Sequence, residues 1–170
     1  MKAEGYIPRV VDVERELKRK SVLLLGPRLT GKSSLIRNTL KSARVYNLLD
    51  SDVFLRLSRQ PSRIREELTR EDRIVVIDEI QKLPALLDEV QLLIEERGIR
   101  FLLTGSSARK LRRGGVNLLG GRAKTIRLHP FVSKEIPDLD LMRALRFGLL
   151  PPIQLSDQPE SDIADYAGTY

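Results

Sequence analysis

Gly26-Pro27-Arg28-Leu29-Thr30-Gly31-Lys32-Ser33 meets the pattern G-x-x-x-x-G-K-[ST] at every fixed position. This is a phosphate-binding P-loop, and each fixed residue has a mechanical task. Glycines at 26 and 31 allow the backbone to turn through positive φ and to bring its N–H groups against phosphate oxygens, where a Cβ would collide. Lys32 supplies a point charge to the β- and γ-phosphates, and the Ser33 hydroxyl ligates Mg²⁺. A helix starting at Lys32 adds the positive end of its dipole to the same anion site. Gly26, Pro27, Arg28, Leu29, Thr30, Gly31, Lys32, Ser33 and the adjoining Ser34 are therefore the expected nucleotide-binding residues.

The flanks agree with the loop. Residues 21–25 (SVLLL) form a short, uninterrupted apolar run, as a strand buried on both faces of a parallel sheet should. After the loop, Leu35, Ile36, Thr39 and Leu40 fall on one face of a helix, with Arg37, Asn38 and Lys41 on the other. The bland alternative is a glycine turn between two core elements; against it stands the order strand, glycine loop, helix.

Residues 73–79 (RIVVIDE) carry the second signal, a β-branched run ending abruptly in two carboxylates. In an open α/β sheet ligands gather beyond the carboxyl ends of strands, so acids placed there face the bound phosphates. Asp78 fits the acid that holds the Mg²⁺ shell, and Glu79 fits the base that orients and polarises the attacking water. Residues 99–103 (IRFLL) read as a further strand ending in Thr104-Gly105-Ser106-Ser107. A hydroxyl there, Ser106 or Thr104, can sense the γ-phosphate or hold the water; capping of the following helix is the structural alternative.

A chain of 170 residues, 41% hydrophobic, suffices for one globular domain with a proper core. It contains no run of eighteen apolar residues and no charged-then-apolar leader, so a cytoplasmic protein is expected. With no cysteine and one histidine there is no disulfide framework, thiol nucleophile or zinc cluster, and metal chemistry must run through oxygen ligands, which suits Mg²⁺. The net charge of +7 favours polyanionic partners. A nucleotide is one. DNA or RNA is another, through Arg109, Lys110, Arg112 and Arg113 in the glycine-rich stretch 108–122, although few aromatics interleave there to stack on bases.

Elsewhere Val10, Val13 and Leu17 space out as a short helix, residues 44–49 (RVYNLL) as a strand, and residues 52–68 as two helical pieces broken at Gln60-Pro61. Arg56, Arg59, Arg63 and Arg65 crowd that region, as a solvated face or a docking surface. Leu86, Leu87, Val90, Leu93 and Ile94 make the apolar stripe of an amphipathic helix. Residues 124–128 (KTIRL) read as the last strand, after which His129 has a structural role. Leu139, Leu141, Met142, Leu145 and Phe147 are helically spaced, and residues 162–170 open another helix that stops without a cap. The expected division is a P-loop ATPase core over residues 1–132, with residues 133–170 a small helical lid or the start of a following domain. The chain then reads as the first part of a longer protein.

Together GPRLTGKSSLIR, VVIDEIQKLPALLDEV, IRFLLTGSSARKLRRGGVNLLGGRA and RFGLLPP resemble the N-terminal domain of bacterial and archaeal AAA-type P-loop ATPases (the AAA+ superfamily) that carry a C-terminal domain of unknown function. The resemblance covers essentially the whole chain. It implies an α/β fold of the additional-strand, RecA-like kind, a parallel sheet of order 2-3-4-1-5 with helices on both faces. It implies Lys32 and Ser33 as the P-loop pair, Asp78 and Glu79 as the acidic pair, and Ser106 or Thr104 as sensor. Arg122 in GGRA looks like an arginine-finger candidate, acting on a neighbouring subunit of a homo-oligomer, on its own nucleotide, or merely pairing with a local carboxylate, and residues 148–151 resemble a glycine-proline lid segment. Position 29 is Leu where family members usually carry Gln. The function expected is Mg-ATP binding and hydrolysis coupled to a conformational switch. The alternative is a nucleotide-gated nucleic-acid-binding module with slow or no turnover, which has no need of the second carboxylate, Glu79.

Overall fold

The computed structural model describes residues 6–106 and 119–168. Five strands, β1 (Ser21–Leu25), β2 (Arg44–Asn47), β3 (Ile74–Asp78), β4 (Arg100–Gly105) and β5 (Ala123–Arg127), form one sheet of order β2-β3-β4-β1-β5. Every pairing is parallel. The order 2-3-4-1-5 implied by the resemblance is the one found, with β4 inserted between the acidic strand and the P-loop strand.

Hydropathy explains which strands lie inside. The near-continuous apolar runs of β1, β3 and β4 are buried on both faces and occupy the centre. Mixed sequences, RVYN in β2 and AKTIR in β5, lie at the edges with most side chains at least partly exposed. Alternate side chains feed two cores. Leu23, Leu25, Val75, Ile77, Phe101 and Leu103 pack under α3 (Ser51–Arg59), α4 (Arg63–Glu67) and α5 (Leu86–Arg97), represented by Leu57, Ile64, Leu86 and Leu93. Val22, Leu24, Val76 and Leu102 pack on the opposite face under α1 (Val13–Arg19) and α2 (Lys32–Thr39), with Val13, Leu17, Leu35 and Ile36.

Several boundaries differ from the sequence reading for local reasons. α1 starts at Val13, capped by Asp12, whose Oδ1 accepts from the Arg15 N–H at 2.9 Å, and Val10 stays outside it, exposed. β2 stops at Asn47, whose side-chain oxygen accepts from the Leu49 N–H at 3.0 Å and starts a turn. Asp50 then caps α3 through the Asp52 and Val53 N–H groups. The chain breaks at Gln60-Pro61 as expected, and of the arginines there Arg56 and Arg65 are ion-paired, to Glu67 and Glu89.

After β5 come α6 (Leu141–Phe147), α7 (Pro151–Gln154) and α8 (Pro159–Gly168). Of the apolar residues in α6, Phe147 is buried, whereas Leu141, Met142 and Leu145 are 63%, 73% and 73% exposed. The helical spacing of these residues is borne out. Arg109, Lys110, Arg112 and Arg113, with the surface loop expected around them, lie outside the described residues. No helix among the described residues is long and apolar enough to cross a membrane.

Candidate functional site: a P-loop and an acidic strand end

The loop joining β1 to α2 is built as the glycine pattern demands, with the two glycines doing different things. Gly31 has φ +87°, a left-handed conformation that only glycine adopts at no steric cost. Gly26 is not in a positive-φ conformation; it is needed for space, since a Cβ there would stand 2.3 Å from the Leu128 carbonyl oxygen. The second positive-φ residue of the loop is Leu29, at φ 63° and half exposed. Thr30 is fully buried and its hydroxyl donates to the Pro27 carbonyl at 2.9 Å, tightening the turn.

Lys32, first residue of α2, folds back over the loop and donates to the carbonyls of Gly26 at 2.8 Å and Pro27 at 2.9 Å. Burial pushes its ammonium pKa down, the carboxylates of Glu79 and Asp78 pull it up, and Arg28 pushes it down again, leaving it below the ordinary lysine value. Such a cation gains from a phosphate that replaces neutral carbonyls.

Ser33 and Asp78 come from elements 45 residues apart and meet, the Ser33 hydroxyl donating to Asp78 Oδ2 at 3.2 Å. Asp78 ends β3, nearly buried, and its other oxygen accepts from the Thr104 hydroxyl of β4. The same Thr104 oxygen accepts from the Glu79 N–H at 3.1 Å. Thr104 is fully buried, and of the two hydroxyls suggested as sensors it is the one bonded to the Asp78 carboxylate and to the Glu79 backbone N–H. Ser106 lies just beyond β4 and is partly exposed. Glu79 has φ 62°, the left-handed region that a non-glycine residue rarely occupies. Its carboxylate accepts a hydrogen bond from the Gln81 amide.

A cavity of about 650 Å³ opens over these groups, lined among others by Arg28, Lys32, Ser33, Ser34, Glu79 and Pro151. A second, of about 210 Å³, adjoins it and shares Gly31, Ser34, Pro151 and Leu155, with Tyr6, Ile7, Asn38 and Phe131 as its outer wall. Among the described residues no cluster of three or more His, Cys, Asp or Glu side chains could hold a metal. The Ser33 hydroxyl and one Asp78 oxygen fit the sparse protein contribution that Mg²⁺ takes when phosphates and water complete its shell.

Behind the loop lies an assembly the sequence did not disclose. Arg9 donates to the carbonyls of Thr30 at 2.6 Å and His129 at 2.7 Å, and its guanidinium sits 5.0 Å over the Phe131 ring. Its Nε is 3.0 Å from Glu135 Oε1, with both side chains almost wholly buried. Glu135 also accepts from the Val10 and Val132 N–H groups at 2.8 and 3.0 Å. Burial pushes the Glu135 pKa up, but the hydrogen bonds from Arg9, Val10 and Val132 and the Arg9 charge outweigh it and hold the carboxyl below its ordinary value. His129 takes part through its backbone carbonyl.

Arg122 is placed far from all of this. It precedes β5, and Ala123 is in register with Ser21, at the end of β1 away from the P-loop. Five residues at about 3.3 Å each put roughly 16 Å between that edge and Gly26, beyond the reach of one side chain. Arg122 instead pairs with Glu95 at 2.6 Å, both partly exposed.

A parallel sheet of this order, with a glycine loop leading into a helix and an acidic strand end facing it, defines a P-loop NTPase fold. The sequence profile of the AAA domain family matches residues 18–137, well over half of the chain, and the chain belongs to that family. No curated protein matches the sequence significantly. Among solved structures, a Walker-type ATPase of Pyrococcus abyssi is similar with a TM-score of 0.58 and 19% identity, over 87% of this chain and 64% of that one. The replication initiator DnaA bound to AMPPCP and single-stranded DNA is similar with a TM-score of 0.50 and 12% identity, over 92% of this chain and 58% of that one. At such identities the likeness establishes the fold.

Proposed function

We propose that the chain binds Mg-ATP and hydrolyses it, using the motion of a small lid as the conformational output. The observation that carries this reading is the Ser33–Asp78 contact at 3.2 Å with Lys32 and Glu79 on the walls of the same cavity. Lys32 exchanges its loop carbonyls for the β- and γ-phosphates. Ser33 and Asp78 hold Mg²⁺, which neutralises charge developing on the phosphate oxygens when bound. Glu79 orients and deprotonates the attacking water, and Ser106 senses the γ-phosphate. A pure nucleotide-gated binder would need Lys32 and Ser33 but not Glu79.

The 210 Å³ cavity suits the purine, since it joins the P-loop cavity and offers the rings of Tyr6 and Phe131 with Leu155. Residues 133–170 serve as the lid, because Pro151 and Leu155 of that segment line both cavities. Arg122 acts as a finger only on a neighbouring subunit's nucleotide, given its distance from its own. DNA or RNA binding rests on the net charge of +7 and the basic run at 109–113, and no described site argues for it.

The test is Mg-dependent ATP binding and turnover. Lys32→Ala should abolish measurable ATP binding, and Glu79→Gln should bind ATP yet turn over at least ~10²-fold more slowly, the usual scale for a positioned general base. Equal rates in Glu79→Gln and the wild type would defeat the assignment.

A further inference from the structure

We propose that Gln81 is a positioning residue for Glu79, holding one carboxylate oxygen through its amide so that the other stays free for water. This inference rests on the ATPase reading of the same site.

Gln81 lies in the 3₁₀ turn Ile80–Lys82 that follows the left-handed Glu79. Its Nε2 donates to Glu79 Oε2. A carboxylate only accepts, so the amide must turn its NH₂ end towards Glu79 and its carbonyl end away. That carbonyl, Oε1, is buried and has no hydrogen-bond partner among the described residues. Leaving a buried acceptor unpaired costs about 1–3 kcal/mol, so the orientation is fixed by the bond to Glu79 and not by any gain at the other end.

The far side of the amide is set by Gly105, the last residue of β4. A Cβ at Gly105 would stand 2.6 Å from Gln81 Oε1. The absence of a side chain there is what makes room for the amide. The Gly105 carbonyl in turn accepts from the Gly26 N–H at 3.2 Å, where the P-loop begins. Gln81 therefore sits between the proposed base and the strand end that adjoins the phosphate loop. Without it, the Glu79 carboxylate would keep its strained backbone but be free to rotate about its side-chain bonds.

Two substitutions separate this role from a structural one. Gln81→Met keeps an unbranched side chain of similar length and removes the amide. Gly105→Ala leaves Gln81 in place but displaces the end of its flexible side chain. Chains carrying Gln81→Met, Gly105→Ala, both, Glu79→Gln, or Gln81→Met together with Glu79→Gln are compared for kcat and KM with Mg-ATP, for ATP affinity and for thermal midpoint. Each single change should lower kcat roughly 10- to 10²-fold, the scale of a misplaced catalytic group, with ATP affinity and midpoint close to wild type. The double variant should lose no more than the worse single, and Gln81→Met added to Glu79→Gln should cost nothing further, because the effect passes through one carboxylate. Wild-type kcat in Gln81→Met, or a loss that persists undiminished in the Glu79→Gln background, overturns the proposal. A wild-type chain that binds ATP without turning it over defeats the ATPase reading and the positioning role with it.

Discussion

Thr104 holds two neighbours with one hydroxyl, donating to Asp78 and accepting from the Glu79 N–H. Thr104→Val keeps the shape and removes both bonds inside a fully buried pocket. Stranding these groups should lower stability by about 1–3 kcal/mol and weaken Mg²⁺-dependent ATP binding. Urea midpoints and ATP titrations with and without Mg²⁺ check both, and an unchanged Mg²⁺ dependence would refute the anchoring role. At Gly26 the constraint is steric. Gly26→Ala brings a Cβ within 2.3 Å of the Leu128 carbonyl, a backbone atom that cannot swing aside. ATP affinity should fall while far-ultraviolet circular dichroism stays near wild type.

At the scale of elements, Arg9 and Glu135 tie the segment before α1 and the turn after β5 to the back of the P-loop. Removing one partner of a buried ion pair leaves the other uncompensated, so Glu135→Gln should cost about 3 kcal/mol at neutral pH. The sign of its pH dependence follows from the depressed pKa. The folded carboxyl holds its proton less tightly than the unfolded one, so its stabilisation is present above the ordinary value of 4.5 and is lost as pH falls through the lower folded value. The stability gap between wild type and Glu135→Gln should therefore narrow below about pH 4.5. Chemical denaturation across pH measures it, and a gap that widens on acidification would contradict the assignment. Since the same assembly backs the proposed purine wall, Phe131→Ala should also weaken ATP binding more than it changes kcat.

For the whole molecule, the decisive fact is that Arg122 and the P-loop lie at opposite ends of the neighbouring strands β5 and β1. A finger acting between subunits makes specific activity rise with protein concentration and contributes about 10³ or more where it operates. Mixing Arg122→Ala with Lys32→Ala should restore some turnover, because one variant brings an intact nucleotide site and the other an intact finger. Activity per chain that stays flat with concentration, with no rescue in the mixture, would mean that Arg122 does no more than pair with Glu95.

The sequence by itself determined what depends on neighbours along the chain. The phosphate loop, the apolar runs of β1, β3 and β4, the proline break after α3 and the acid pair at 78 and 79 all follow from local spacing, because backbone conformation and strand burial answer to nearby residues. The sheet order came only with the family resemblance, since parallel pairing is set by crossovers that leave no local trace. Tertiary structure alone decided the rest. It brought Arg9 to Glu135, gave Thr104 to the Asp78 carboxylate and the Glu79 N–H, and set Gln81 between Glu79 and Gly105. It also exposed the apolar side of α6 and carried Arg122 to the end of the sheet away from the P-loop. Each of these depends on which side chains meet across elements, and a side chain's charge or hydropathy does not name its partner.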